Sequence, residues 1–247
     1  MPWFTIIQKK YKFTDDIREI SGHVVYRIQA IKDFGDVKAG DLGGWIEKRK
    51  NLSHDGDCWV SVNAVVFGNA KVYGNAKVCD EAEVSGNATI CNSARICVRA
   101  KVYGNAKIFD RAKVYGRARV YENACVFGNA HIAGNAEVFD NAKVYDEAKI
   151  SGNVKVCCRA KVYGNAEVFG KGGDPVKICS NAKVFDKARV FDHAHVYGNA
   201  AVYDRAHVYG NAAVYGNAKV YEEAKVYGSA RILGKIYYDI EDTAIKL

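Results

Sequence analysis

Long apolar runs are missing from this 247-residue chain: nothing approaches the roughly eighteen uninterrupted apolar residues that a membrane span requires. An export signal is not expected either, because Met-Pro-Trp-Phe-Thr-Ile-Ile-Gln-Lys-Lys puts charge where a signal peptide needs its apolar stretch. The eight cysteines have no metal-binding spacing, and without an export signal they read as reduced thiols rather than a disulfide framework. No metal is expected, and the expected location is the cytoplasm. Methionine occurs once and proline twice, at Pro2 and Pro175, against 23 glycines and 16 tyrosines. Disorder is excluded by composition, with 49% hydrophobic and 26% charged residues and a net charge of +8. A skew of this kind calls for a search for internal repeats.

The repeat has a period of six. An aliphatic residue falls on every sixth position from Val60 to Val168, and again from Ile178 to Ile232, giving nineteen hexads, a break and ten more. Two residues earlier sits a small residue, Ala in 26 hexads, with Cys58, Val154 and Val176 as the exceptions. The unit reads Ala-Lys-Val-Tyr-Gly-Asn. A helix cannot use this spacing, because six is not a multiple of 3.6 and Gly-Asn would break each turn. As a strand it is coherent, with Ala and Val facing in, Lys and Tyr facing out, and Gly-Asn turning the corner. A four-residue strand plus a two-residue corner coils into an all-β, single-stranded parallel β-helix. Three hexads close a triangular turn, so twenty-nine give about ten turns and a rod of roughly 45 Å at about 4.8 Å per strand. Residues 58–232 form this solenoid, with a four-residue insertion near 170–177. Residues 1–57 are expected to be a small β cap at the N-terminal end and 233–247 a cap at the other.

These hexads resemble the hexapeptide-repeat family, the left-handed parallel β-helix of many acyltransferases; the left hand is what the resemblance implies. Ahead of them, Tyr26-Arg27-Ile28-Gln29-Ala30-Ile31-Lys32-Asp33-Phe34-Gly35-Asp36-Val37 leads into Gly43-Gly44-Trp45-Ile46-Glu47 and Cys58-Trp59-Val60. That order is similar to the uncharacterised bacterial YdcK-type proteins, named as acetyltransferases largely because of their fold. The chain departs from the family in placing Tyr or Phe after the aliphatic residue, where Gly or another small residue is usual.

Steps of eighteen sort the outward residues onto three faces, with four added across the insertion. The first face carries Tyr73, Cys91, Phe109, Phe127, Tyr145, Tyr163, Phe185, Tyr203 and Tyr221, beside a column without acids that includes Lys107, Lys143, Lys161 and Lys183. Lys107, Lys143, Lys161, Phe109, Phe127, Tyr145 and Tyr163 are the candidate ligand-binding residues. Rings can stack on bases or sugars while ammonium groups meet phosphates. On the plainer reading, the aromatics stabilise the sheet and the lysine stems pack along them, with corner acids such as Asp110, Asp146 and Asp186 partly neutralising the face. The insertion Gly170-Lys171-Gly172-Gly173-Asp174-Pro175 is a surface loop. His131, His195 and His207 are the candidate general bases, since family acyltransferases are implied to use a His at a subunit boundary. Each occupies an outward slot, and no pair converges within a chain. Ice binding is disfavoured, because on such rods the resemblance associates it with threonine ladders and this chain has four Thr.

The reading that accounts for most of the pattern is a non-catalytic binding or scaffold protein presenting aromatic–lysine faces to an anionic small molecule or nucleotide, or to a protein, without a cofactor and without a membrane. One alternative is an acyltransferase using acetyl-CoA or another acyl-CoA, with sites between subunits of a homotrimer, as the resemblance implies. The other is a rod that self-associates through its aromatic faces.

Overall fold

The computed structural model describes residues 8–233 and the strand Lys235–Ile236. The rest of the cap expected over 233–247 lies outside the described residues. The chain coils into three sheets, two of ten parallel strands and one of thirteen that adds an antiparallel N-terminal meander, and each hexad pairs in parallel with the hexad one turn later. Lys101–Val102 pairs with Glu83–Val84 on one side and Arg119–Val120 on the other, a register of eighteen residues that recurs up the rod. No helix among the described residues is long and apolar enough to cross a membrane.

The core is the column that the inward slots specify. Ala64, Ala70 and Ala76 are fully buried, as are the aliphatic residues two positions after each hexad's small residue, with stacking continuous from Val60 to Ile232. In most turns the strand ladder is shorter than the expected four residues and covers the Lys and Val positions, as in Lys71–Val72; around the insertion it reaches four, as in Lys149–Gly152, Glu167–Gly170 and Arg189–Asp192. Pairing between turns nonetheless extends past it. The amides of Lys71, Tyr73 and Asn75 donate to the carbonyls of Ala88, Ile90 and Asn92, so half of each hexad's N–H groups point along the rod. The outward Tyr slot thus already belongs to the bend.

The first corner residue takes a left-handed conformation in turn after turn. Gly is cheapest there, and the non-glycine residues that hold it include Asp80, Asp110, Asp146, Asp186 and Asp204. Several of these acids cap the same corner one turn on. Asp110 Oδ2 accepts from the Gly128 amide at 3.1 Å, Asp146 Oδ2 from Gly164 at 3.1 Å, and Asp204 Oδ2 from Glu222 at 3.1 Å. At the corner entering the first face, amide side chains form ladders: Asn69–Asn87–Asn105–Asn123 and Asn181–Asn199–Asn217.

At the N-terminal end, β1 (Tyr11–Ile20) and β2 (His23–Ala30) form a hairpin around Ser21-Gly22, both at positive φ as a tight two-residue turn requires. Antiparallel to β2 lies β3 (Leu42–Ile46), which then pairs in parallel with Val65–Val66 and joins the meander to the solenoid sheet. The glycines before Trp45 allow this junction: a Cβ on Gly43 would sit 2.5 Å from the Trp59 ring, and one on Gly44 would strike the Ala64 carbonyl. Tyr11, Ile28, Ile46 and Leu52 are buried over the open end of the Val column. A short 3-10 turn, Arg49–Asn51, is held there by Asn51 Nδ2 donating to Ala70 O at 2.8 Å.

Candidate functional site: the lysine and aromatic face

The first face is set by the register of the ten-stranded sheet that begins at Lys71–Val72. Lys107 is paired between Thr89 and Cys125, and Lys143 is followed in register by Lys161 and Lys183. Their Cα positions repeat at the strand spacing, about 4.8 Å, so three ammonium-bearing stems rise from consecutive turns. Like charges directly opposite one another destabilise a sheet. Among the described residues none of Lys107, Lys143, Lys161 and Lys183 forms an ion pair. The corner acids that were expected to neutralise this face are instead hydrogen-bonded along the rod to backbone amides.

The aromatic positions do form a continuous column. Phe109, Phe127, Tyr145 and Tyr163 stack with centroids 4.9 Å apart and planes within 2° of parallel. Phe185, Tyr203 and Tyr221 extend the stack at 4.8, 4.9 and 5.1 Å. The rings are half-buried and face outward, not into the core. Their faces cover one another, which removes the base-stacking platform expected from the sequence. What they present to solvent is their edges, the positive end of the ring quadrupole. Burial, with like charge nearby, pushes the Tyr145 and Tyr163 phenols up, so both remain protonated donors.

The other two faces are electrically different. On the second, Glu83 pairs with Lys101 at 2.9 Å, and Glu137 lies between Arg119 at 3.9 Å and Lys155 at 3.7 Å. On the third, Glu167 bridges Lys149 at 3.4 Å and Arg189 at 3.3 Å. That triad lines an open groove of about 420 Å³ with Ser151, Phe169 and Phe191, next to the insertion. The insertion folds back as a loop: Lys171 pairs with Asp192 at 3.0 Å, and Asp174 O meets His193 Nδ1 at 2.7 Å.

The candidate bases do not assemble into a catalytic unit. His131 and His207 lie on the third face and His195 on the second, each in a sheet ladder between neighbouring turns. Burial, and then neighbouring lysine or arginine charge, holds all three below the ordinary imidazole value. None pairs with a carboxylate among the described residues. The histidine that does is His23, whose Nδ1 is 3.3 Å from Glu47 Oε2 and whose ring lies 4.8 Å from Phe67. Spacing along the chain carries no sign of it, because the pair forms only where the β1–β2 turn meets the solenoid.

Several thiols meet across turns. Cys79 and Cys97 are disulfide-bonded with Cα atoms 4.7 Å apart, where the sequence reads all eight cysteines as reduced thiols; stacking on consecutive turns brings the two together. Cys157 and Cys179 have sulfurs 3.0 Å apart, with Cys158 Sγ 3.9 Å from Cys157.

With the eighteen-residue coil, the inward Ala-Val column and the left-handed corners established, the architecture is decided. The chain is a parallel β-solenoid of six-residue repeats. Over 69 residues it is 36% identical to the uncharacterized acetyltransferase YdcK of Escherichia coli (strain K12). The match covers 24% of this chain and 21% of that protein, so the chain spans about a fifth of the length of the relative it matches. No protein-family model matches the chain.

Proposed function

We propose that the solenoid is a non-catalytic binding scaffold whose first face takes an anionic ligand along the run Lys143–Lys161–Lys183. The observation that carries this reading is a lysine ladder without described counter-charge, set beside a seven-ring stack that offers only its edges. Ring edges, phenol hydroxyls and ammonium groups all favour negative charge. An anion bridging consecutive turns relieves the repulsion that the ladder otherwise stores. The ligand class is a phosphate- or carboxylate-rich small molecule or nucleotide, or an acidic protein segment, read through charge and hydroxyl contacts instead of base stacking. A cytoplasmic setting belongs to the same reading.

The test uses the full chain with Lys107→Glu and Lys143→Glu together, and a labelled single-stranded oligonucleotide and inorganic polyphosphate as probes. Lys143→Glu places a carboxylate beside Lys161, so folding is retained. Binding is expected to weaken at least tenfold. Its salt dependence becomes shallower, by roughly 0.7 in the log–log slope for each phosphate of a single strand that is no longer neutralised. Affinity and slope equal to the parent's would reduce the face to scaffold.

A second reading, acyl transfer from an acyl-CoA donor, is favoured by the name of the relative and by His23–Glu47, a histidine held by a carboxylate. A rise in melting temperature with sub-millimolar acetyl-CoA supports it, because only ligands that bind the native state stabilise. Mass in solution separates a trimer from a monomeric rod and from open-ended self-association.

A further inference from the structure

On the second face the aromatic column is interrupted. Tyr103, Tyr121 and Phe139 stack at 4.9 and 5.0 Å, and Tyr197 and Tyr215 resume at 5.3 Å. Between them the same slot holds Cys157 and Cys179, on turns paired through Val154–Val156 and Val176–Ile178. Two stacked thiols replace two stacked rings and give up their packing.

A third thiol is placed at a conformational penalty. Cys158 occupies the corner at φ 60°, a conformation that costs an L-residue about 1–2 kcal/mol and that glycine or aspartate fills at most corners of the rod. Its amide is already capped by Asp140 Oδ2 at 2.8 Å, and its side chain is exposed, so the sulfur adds nothing to the fold. It nevertheless lies 3.9 Å from Cys157 Sγ. Ligand atoms of Asp140, Cys157 and Cys158 fall within 4.8 Å of one another, and Cys179 adds a sulfur 3.0 Å from Cys157.

We propose that Cys157, Cys158, Cys179 and Asp140 form a four-ligand site for one thiophilic divalent cation of the zinc class. Three sulfurs and one carboxylate match the donor set and number that such an ion takes. With metal–sulfur bonds of about 2.3 Å, tetrahedral ligation separates sulfurs by about 3.8 Å. Cys157 and Cys158 already stand near that spacing. Cys179 lies outside the Asp140–Cys157–Cys158 cluster and takes the fourth position by turning its side chain away from Cys157 toward Cys158 and Asp140. Asp140 uses one oxygen on the Cys158 amide and keeps the other for the ion. Lys177, beside Cys179, offsets part of the charge of the thiolates. The site does not depend on the lysine face, and the two stand or fall separately.

The experiment titrates the full chain, kept reduced with a phosphine, with Cd²⁺ and follows thiolate-to-metal charge-transfer absorption and stoichiometry by native mass spectrometry. One Cd²⁺ per chain is expected, released competitively by Zn²⁺. Cys158→Ser is expected to weaken binding at least tenfold while leaving circular dichroism unchanged, because Ser180 holds the same corner one turn on at φ 61°. Asp140→Asn is expected to weaken it in the same direction, and Cys79→Ser to leave it unaltered. The proposal is overturned if the reduced chain takes up no Cd²⁺ at micromolar concentration, if Cys158→Ser binds as tightly as the parent, or if Cys79→Ser abolishes uptake. It is equally overturned if Cys157 and Cys179 are recovered as a disulfide from metal-saturated protein, which makes them an oxidisable pair.

Discussion

Val98 offers a sharp test of the corner chemistry, because it is the worst residue for its place. It holds φ 65°, in the left-handed region where a β-branched side chain is an outlier, and it is 45% exposed, so packing returns little. The two turns that follow put Gly116 and Gly134 at the same corner. Replacing Val98 with glycine removes about 1–2 kcal/mol of backbone strain and adds about 0.4–1 kcal/mol of unfolded-state entropy. The contacts that matter stay, since the amide still donates to Asp80 Oδ2 at 3.0 Å and the carbonyl still accepts from the Glu81 amide at 2.8 Å. Val98→Gly is therefore expected to stabilise by about 0.5–1 kcal/mol, a rise of about 1–4 °C in melting temperature for a chain of this size. The reverse change at Gly116, to valine, is expected to destabilise by more than this gain, since its Cβ would meet the Gly134 nitrogen at 2.9 Å. Because turns of a solenoid can open separately, amide exchange around Ala100 should be followed beside the thermal scan. A lower melting temperature and faster exchange in Val98→Gly would refute the strain argument.

Gly44→Ala, which drives a methyl into the Ala64 carbonyl, is expected to lower stability by about 1–3 kcal/mol, read from the urea midpoint; an unchanged midpoint shows that β3 can move away. Tyr163→Ala breaks two stacked pairs at once and is expected to cost about 1–3 kcal/mol, whereas Tyr163→Phe should cost little if ring stacking is the source. The depressed histidines set a pH dependence. Because His131, His195 and His207 are held below the ordinary 6.5, the unfolded chain takes up protons first as pH falls. Stability is then level above about pH 6.5 and declines below it, and a His→Gln triple variant should flatten the melting-temperature profile between about pH 7.5 and 5.5. Greater stability on acidification through that window would show the sign to be wrong.

Much of this was legible in the sequence because a six-residue period leaves little freedom. Once Ala and Val alternate with Lys and Tyr, the inward column, the three faces and the eighteen-residue register follow, and the coordinates place His131, His195 and His207 in outward slots of that register. What could not be read were contacts between side chains on different turns. Asp110 and Asp146 look like counter-charges to the lysines until the corner geometry shows their oxygens on amides one turn on. The tyrosines look like a stacking platform until their planes prove parallel to one another. Cys157 and Cys179 are twenty-two residues apart, a spacing that belongs to no ligand motif and arises only because the insertion adds four residues to one turn. His23 and Glu47 meet because a hairpin lies against the solenoid, which no periodicity announces.

The charges on the three faces are distributed in a way that the repeat alone does not require. Every hexad has a slot beside its aliphatic residue; on the second face glutamates stand among the lysines and arginines, as in Lys101–Glu83, and on the third Glu167 pairs with Lys149 and Arg189, although Lys77, Arg95 and Lys113 follow one another directly there. Substituting glutamate into the first face would serve the sheet equally well, since cross-strand opposite charges stabilise by about 0.2–1 kcal/mol and like charges oppose. The described part of that face has none, while Lys143, Lys161 and Lys183 follow one another directly. Stability alone therefore does not require the pattern, because the same fold pairs such charges wherever Glu83, Glu137 or Glu167 stands. A surface that forgoes available stabilisation over consecutive turns, and turns its ring edges and phenols the same way, is where the proposed anion would relieve the most repulsion.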